Sequence, residues 1–350
     1  MNGKQIWIKV AGRGALIAVL GTTSVLGSGV AMAEDIKPTE EDIKNFLRPM
    51  DVPQPIDNLS TPERVDLGRN LFFDPRLSGS KWISCATCHN PALGWSDGLP
   101  TAIGHGMKVL ARSTPTILNT AYQKFQFWDG RAQTLEQQAL GPIEAEPEMA
   151  GNMGEVLKDL ADIPTYKKMF EAAYPGQGIT NDTVAKAIAA FERTVVAHDG
   201  AFDRWLKGQT TAMNDAAKRG FGVFKGKANC VACHSGFNFT DNGFHNIGLP
   251  DNNDEGRFLV KKVKVMKGAF KTPTLRNVAL TAPYMHNGQY KTLEEVVDHY
   301  NDGGKPTFDN LDPNMKPLNL TKQEKSDLLE FLNALTADPV PVVVPQLPVK

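Results

Sequence analysis

Two five-residue stretches limit what this chain can fold into more than any other feature. Cys85-Ala86-Thr87-Cys88-His89 and Cys230-Val231-Ala232-Cys233-His234 repeat one spacing of two thiols and an imidazole, and they use all 4 cysteines of the 350 residues. That spacing suits covalent attachment of a c-type haem: the thiols add across the haem vinyl groups and the histidine binds iron. A structural zinc site would need the distant motifs to converge on one ion, leaving both histidines unexplained, and a redox dithiol wants a βαβ setting that neither copy has. The chain is therefore expected to fold around two haems held by Cys85, Cys88, Cys230 and Cys233, with His89 and His234 as iron ligands. No thiol then remains for a disulfide.

The motifs belong to a longer repeat. At a constant offset of 158 residues, Thr114-Pro115-Thr116 falls on Thr272-Pro273-Thr274, Asn119 on Asn277, Gly130 on Gly288, and Thr134-Leu135-Glu136 on Thr292-Leu293-Glu294. A run of matches without a gap indicates internal duplication. Helical patterns dominate: Val184, Ile188, Phe191 and Val195 keep one stripe over 182–197, and further helices are expected over 153–160, 163–174 and 321–335. Thr61-Pro62 is a helix start, and Thr134 with Gln137 and Thr292 with Glu295 are capping boxes. The expected fold is mainly α, with two cytochrome c-like haem domains related by duplication, at 34–199 and 200–350. Four prolines between Ile36 and Asn58 favour an extended arm, and the Pro-Val tail from Asp338 reads as mobile or extended.

Residues 1–33 read as a secretory signal, with Lys4, Lys9 and Arg13 before the apolar run Ala15 to Val30 and Ala31-Met32-Ala33 as the cleavage site. The other reading of this stretch is an uncleaved anchor. Export to the periplasm agrees with covalent haem attachment, which bacteria complete outside the cytoplasm. No other stretch is apolar enough to span a bilayer, so the mature chain is not expected to be an integral membrane protein. A formal net charge of -1 gives no general electrostatic reason for nucleic acid or an anionic membrane as partner.

The duplicates differ where it matters. The helix after Thr292 carries Leu293, Val296, Val297 and Tyr300 on one face; the same offset sets Tyr300 against Pro142. A tyrosine oxygen can be an axial haem ligand and a proline cannot, so the second haem is expected to be closed by two protein ligands and the first to be open. Tyr300 also reads as an ordinary core aromatic. Gln138, a polar amide on the buried stripe, needs a hydrogen-bond partner.

With Leu71-Phe72-Phe73-Asp74-Pro75-Arg76-Leu77-Ser78, Gln126-Phe127-Trp128-Asp129-Gly130-Arg131-Ala132, Pro147-Glu148-Met149 and the run from Leu275 to Tyr284, the chain resembles the bacterial dihaem cytochrome c peroxidases and the related MauG proteins over nearly all of its mature length. The resemblance implies a low-potential peroxidatic haem on His89 and an electron-transfer haem on His234. It implies Trp128 as the relay between them, Gln138 and Glu148 as the polar pair over the peroxide site, and His105 as a detachable ligand in a glycine-flanked loop. It implies, too, a calcium ion between the domains, for which Thr281 and Pro283 could offer carbonyls although Ser113 replaces the usual asparagine. Ordinary peroxidases carry methionine at Tyr300 and the MauG branch carries tyrosine; Met315 and Met285 are alternative ligands away from the family position. His245 and His286 are assigned to hydrogen bonding near the second haem or the domain interface.

The activity this implies is reduction of hydrogen peroxide to water with electrons from a small cytochrome c or copper protein. A MauG-like oxidase acting on side chains of a partner protein is the alternative, and a non-enzymatic dihaem electron carrier is the third reading. Homodimers occur among such proteins.

Overall fold

The computed structural model describes residues 36–338 and 341–349; the leader read at 1–33 lies outside the described residues. Its helices are α1 (Glu40–Phe46), α2 (Pro62–Phe73), α3 (Cys85–Cys88), α4 (Leu135–Glu144), α5 (Met153–Ala161), α6 (Pro164–Ala173), α7 (Asn181–Glu192), α8 (Ala201–Leu206), α9 (Asp215–Lys225), α10 (Phe258–Lys261), α11 (Leu293–Asp302) and α12 (Lys322–Ala334). Two short strands, β1 (Phe244–His245) and β2 (Phe270–Lys271), pair antiparallel with Phe244 opposite Lys271. The fold is mainly helical, as the patterning implies.

Two apolar cores form, one on each side of the duplication. The first gathers Leu67, Leu71 and Phe72 of α2 with Ile188 and Phe191 of α7; the second gathers Phe221 and Phe224 of α9 with Phe331 of α12, Phe202 and Phe239. Each is built on one close helix crossing made possible by one glycine. A Cβ at Gly68 would collide with the Ala187 carbonyl and the Phe191 Cβ, and a Cβ at Gly220 would collide with the Asp327 carbonyl and the Phe331 Cβ. Backbones that approach this closely leave no room for a side chain.

The duplication is visible bond by bond. Asn119 and Asn277 both take left-handed φ, of 61° and 58°. Asn119 N–H donates to Val195 O and its Oδ1 accepts from Ala197 N–H; Asn277 does the same with Leu335 and Ala337. Gln126 bridges Ala132 as Tyr284 bridges Tyr290. Thr134 and Thr292 cap α4 and α11 by accepting from the N–H three residues on.

Both chain ends depart from the simplest expectation. The arm over 36–58 contains α1, because Thr39 and Asp42 close a reciprocal capping box that the flanking prolines leave intact. Phe46 at its end is 3 % exposed and stacks on Phe239, inside the second core. The described part of the C-terminal tail is extended and docked: Val342 packs on the first core and Arg76 Nη1 donates to Pro348 O at 2.8 Å. Each end thus crosses to the other half.

Candidate active site

Each attachment motif sits at a short helical turn that leads its histidine into the interior. His89 ends α3 and faces the Trp95 carbonyl through Nδ1 at 3.2 Å; His234 faces the Phe239 carbonyl through Nδ1 at 2.8 Å. With Nδ1 donating to a carbonyl, Nε2 of each ring is the nitrogen left for iron, and the bond fixes the ring's orientation. Burial pulls both imidazoles below the usual histidine range, which favours the neutral, ligating form. Burial also pushes the Cys85 and Cys230 thiols up to about 12.

Both motifs border one cavity of about 1080 Å³. All four cysteines are free thiols, and they, His89 and His234 lie in its wall. Free thiols and oriented imidazoles around an internal space of this size fit two covalently held haems.

Trp128 lines this cavity and is held by both halves. Its indole Nε1 donates to Ser113 O at 2.8 Å, and its carbonyl accepts from Lys271 N–H at 2.8 Å. The duplicate of that second bond runs from Ser113 N–H to His286 O at 2.7 Å, since Ser113 answers to Lys271 and Trp128 to His286 under the offset of 158. The halves therefore grip each other through equivalent atoms. The Trp128 and His286 rings meet edge to face, 6.5 Å apart, and His286 stacks on Phe270 at 3.6 Å. Arg112 fixes the Trp128 loop from below, pairing with Asp129 at 2.6 Å and with both oxygens of Asp254 at 2.7 and 2.9 Å.

Gln138, Pro142 and Glu148 line the same cavity. Pro142 lies inside α4, where it cannot donate to the Gln138 carbonyl. Neither the Gln138 amide nor the Glu148 carboxyl is hydrogen-bonded to protein among the described residues, so both are available to a bound molecule. Burial raises the Glu148 pKa, and Arg131 partly opposes it. His105 is placed differently. It opens a short turn, its N–H donates to Glu148 O at 2.8 Å, and its Nδ1 is buried without a partner among the described residues.

Tyr300, Met315 and Met285 all line the cavity, and Tyr300 lies near the thiols of the second motif. Burial, then the nearby Cys233 and Cys230 thiols, raise the Tyr300 phenol pKa. The neighbouring His299 is fully engaged, with Nδ1 at 3.0 Å from Tyr290 Oη and Nε2 at 3.0 Å from Ile247 O. His245 is clamped between Asp312 at 2.6 Å and Asp241 at 2.8 Å. Ser113, Thr281 and Pro283, the positions associated with calcium, also border the cavity and supply only neutral oxygens.

Sequence reasoning missed Glu192. It is 5 % exposed, lines the cavity one turn after Ile188, and its Oε2 has no partner among the described residues. Burial pushes it up to about 8, against the attraction of Arg193. Its position on the Val184–Ile188 stripe was the available clue.

A cavity walled by two such motifs, with Trp128 in the same wall, defines a two-haem c-type oxidoreductase. Comparisons with known proteins agree. Residues 62–211 match the family model described as di-haem cytochrome c peroxidase and residues 217–336 the model for cytochrome c. The chain is 47 % identical over 330 residues to methylamine utilization protein MauG of Methylorubrum extorquens, covering 93 % of each chain. It is 38 % identical over 296 residues to cytochrome c551 peroxidase of Nitrosomonas europaea, covering 82 % of this chain and 85 % of that protein. The crystal structure of a MauG-like protein associated with microbial copper homeostasis superposes with a TM-score of 0.77 at 33 % identity, over 83 % of this chain and 94 % of the other. The chain belongs to the di-haem cytochrome c peroxidase family, which includes the MauG proteins, and is an oxidoreductase acting on peroxide.

Proposed function

We propose that this protein is a periplasmic MauG-like oxidase. Hydrogen peroxide takes up two electrons and two protons at the first haem to give two waters, and the electrons come from side chains of a partner protein by way of the second haem and Trp128. Tyr300 in the wall of the second site carries this reading. An oxygen ligand lowers a haem's reduction potential where methionine raises it; it would favour the oxidised forms of the second haem, which suits a centre that holds oxidising equivalents and is a poor acceptor of electrons from a high-potential carrier. The relatives named for methylamine utilization support the same reading.

At the first site the chain's own groups serve peroxide cleavage. The haem supplies the metal that binds peroxide. Glu148, with no protein partner, takes a proton from one peroxide oxygen and returns it to the other, and the Gln138 amide donates to the oxygen on which charge develops. With Pro142 where the second half has Tyr300, this reading expects a first haem that peroxide can reach.

Ordinary peroxidase activity is the second reading, favoured by Met315, whose side chain borders the same cavity. Steady-state peroxide consumption with a reduced small cytochrome c or copper protein separates the two. The oxidase reading expects turnover well below the roughly 1–10³ s⁻¹ of typical enzymes, rising when Tyr300→Met restores a methionine. Fast turnover by the unaltered protein overturns it.

A further inference from the structure

Lys271 is 6 % exposed and lies in the cavity wall. Its ammonium makes one side-chain hydrogen bond, to the neutral Gln123 Oε1 at 3.0 Å, and pairs with no carboxylate among the described residues. A buried ammonium with only a neutral acceptor is costly unless an anion reaches it. Burial alone pushes it down to about 8, so no charged group among the described residues compensates the ammonium. Arg112, also in the wall, is by contrast already satisfied by Asp129 and Asp254.

The position of Lys271 indicates which anion. β2 runs from Lys271 directly into Thr272-Pro273, the duplicate of the Thr114-Pro115 segment whose carbonyl at Pro115 reaches His89. The Thr272 carbonyl accepts from Thr240 Oγ1 at 2.7 Å, and Thr240 follows Phe239, the residue that orients His234. Lys271 therefore belongs to the second attachment site. Its counterpart in the first half is Ser113, so the charge is present in one half only. A haem brings two propionate carboxylates into its pocket, and these residues fit one of them.

We propose that Lys271 binds a propionate carboxylate of the second haem, holding the cofactor edge in place and setting a positive charge against it. This rests on reading the second motif as a haem site. Removing a cation beside a haem makes its reduced form less favourable, so Lys271→Met in the holoprotein should lower the reduction equilibrium constant of the second haem tenfold or more. The first haem should change less than threefold, and Lys271→Arg should stay within threefold of the unaltered protein at both. Selective loss of the second haem in Lys271→Met supports the same assignment. An unchanged second haem, or a shift confined to the first, overturns it.

If Lys271→Met does not accumulate, resonance Raman of the unaltered protein decides. A propionate bonded to a buried ammonium shifts its bending band slowly on transfer to D₂O, and a complete immediate shift for both propionates of the second haem overturns the proposal. Because the readout is potential and not turnover, failure here leaves the oxidase reading intact, and an inactive enzyme leaves this assignment intact.

Discussion

The two haem sites are duplicates whose walls differ at a few places. Where α7 presents Ile188 and Glu192 to the cavity, α12 presents Leu328 and Leu332. The equivalence follows from the helix crossings, since Ala187 and Phe191 meet Gly68 as Asp327 and Phe331 meet Gly220. On the opposite wall Pro142 stands where the second site has Tyr300, and Ser113 where it has Lys271. The first site therefore has two carboxyls whose pKa burial raises and an amide with no protein partner among the described residues, and a proline where the second site has a phenol. The second has apolar packing, a phenol and a buried cation. Under the proposed function, one scaffold, copied, serves as a reacting site and a conducting site through substitutions in the cavity wall.

That contrast can be broken at several levels. The largest effect should follow loss of one cofactor. The double change Cys230→Ser, Cys233→Ser should leave one haem by haemochrome assay and mass, keep peroxide binding and abolish peroxide-driven oxidation of partners. The same change at Cys85 and Cys88 should abolish peroxide binding as well. Glu148→Gln should slow peroxide cleavage by about 10²–10⁴-fold in stopped flow with both haem spectra unchanged. A loss below tenfold would return Glu148 to the wall as a bystander.

Glu192 tests the difference between the sites through pH. Its pKa is raised from 4.5 to about 8, so its contribution to stability is fully present below about pH 4.5 and is lost as pH rises through about 8. Glu192→Gln should therefore be more stable than the unaltered protein above that pH, by about 2–4 kcal/mol in denaturant titrations, and similar to it in acid. Equal stabilities at both ends would mean that the carboxyl is solvated.

How much of this the sequence discloses depends on whether a feature lies within one aligned run. The haem motifs, the offset of 158 and the exchange of Tyr300 for Pro142 all do, and so were legible. Glu192 and Leu332 correspond at an offset of 140, because the connections between the later helices differ in length, and a single fixed alignment passes over them. Lys271 looks like a surface residue of a short strand until Gln123 and Trp128 from the other half close over it. The helix α1 was hidden by its prolines, although Thr39 and Asp42 carried the capping pattern.

Smaller effects should test the symmetric part. Gly68→Ala and Gly220→Ala should each destabilise by about 1–3 kcal/mol through forced separation of the paired helices, with similar values in the two halves. A large disparity would show that one core carries the fold. Calcium chelation should leave both haem spectra almost unchanged, because Ser113, Thr281 and Pro283 offer only neutral oxygens; a marked change would restore calcium as a structural element.

The asymmetry of ligation is the central claim, and a stepwise potentiometric titration with spectra of each haem tests it most directly, run on the unaltered protein and on Tyr300→Phe. The account predicts one high-spin haem open on one side, one low-spin haem at low potential, and a Tyr300→Phe change confined to the low-spin centre. Two closed low-spin haems in the resting protein, or spectra and potentials indifferent to the loss of the Tyr300 hydroxyl, would contradict it.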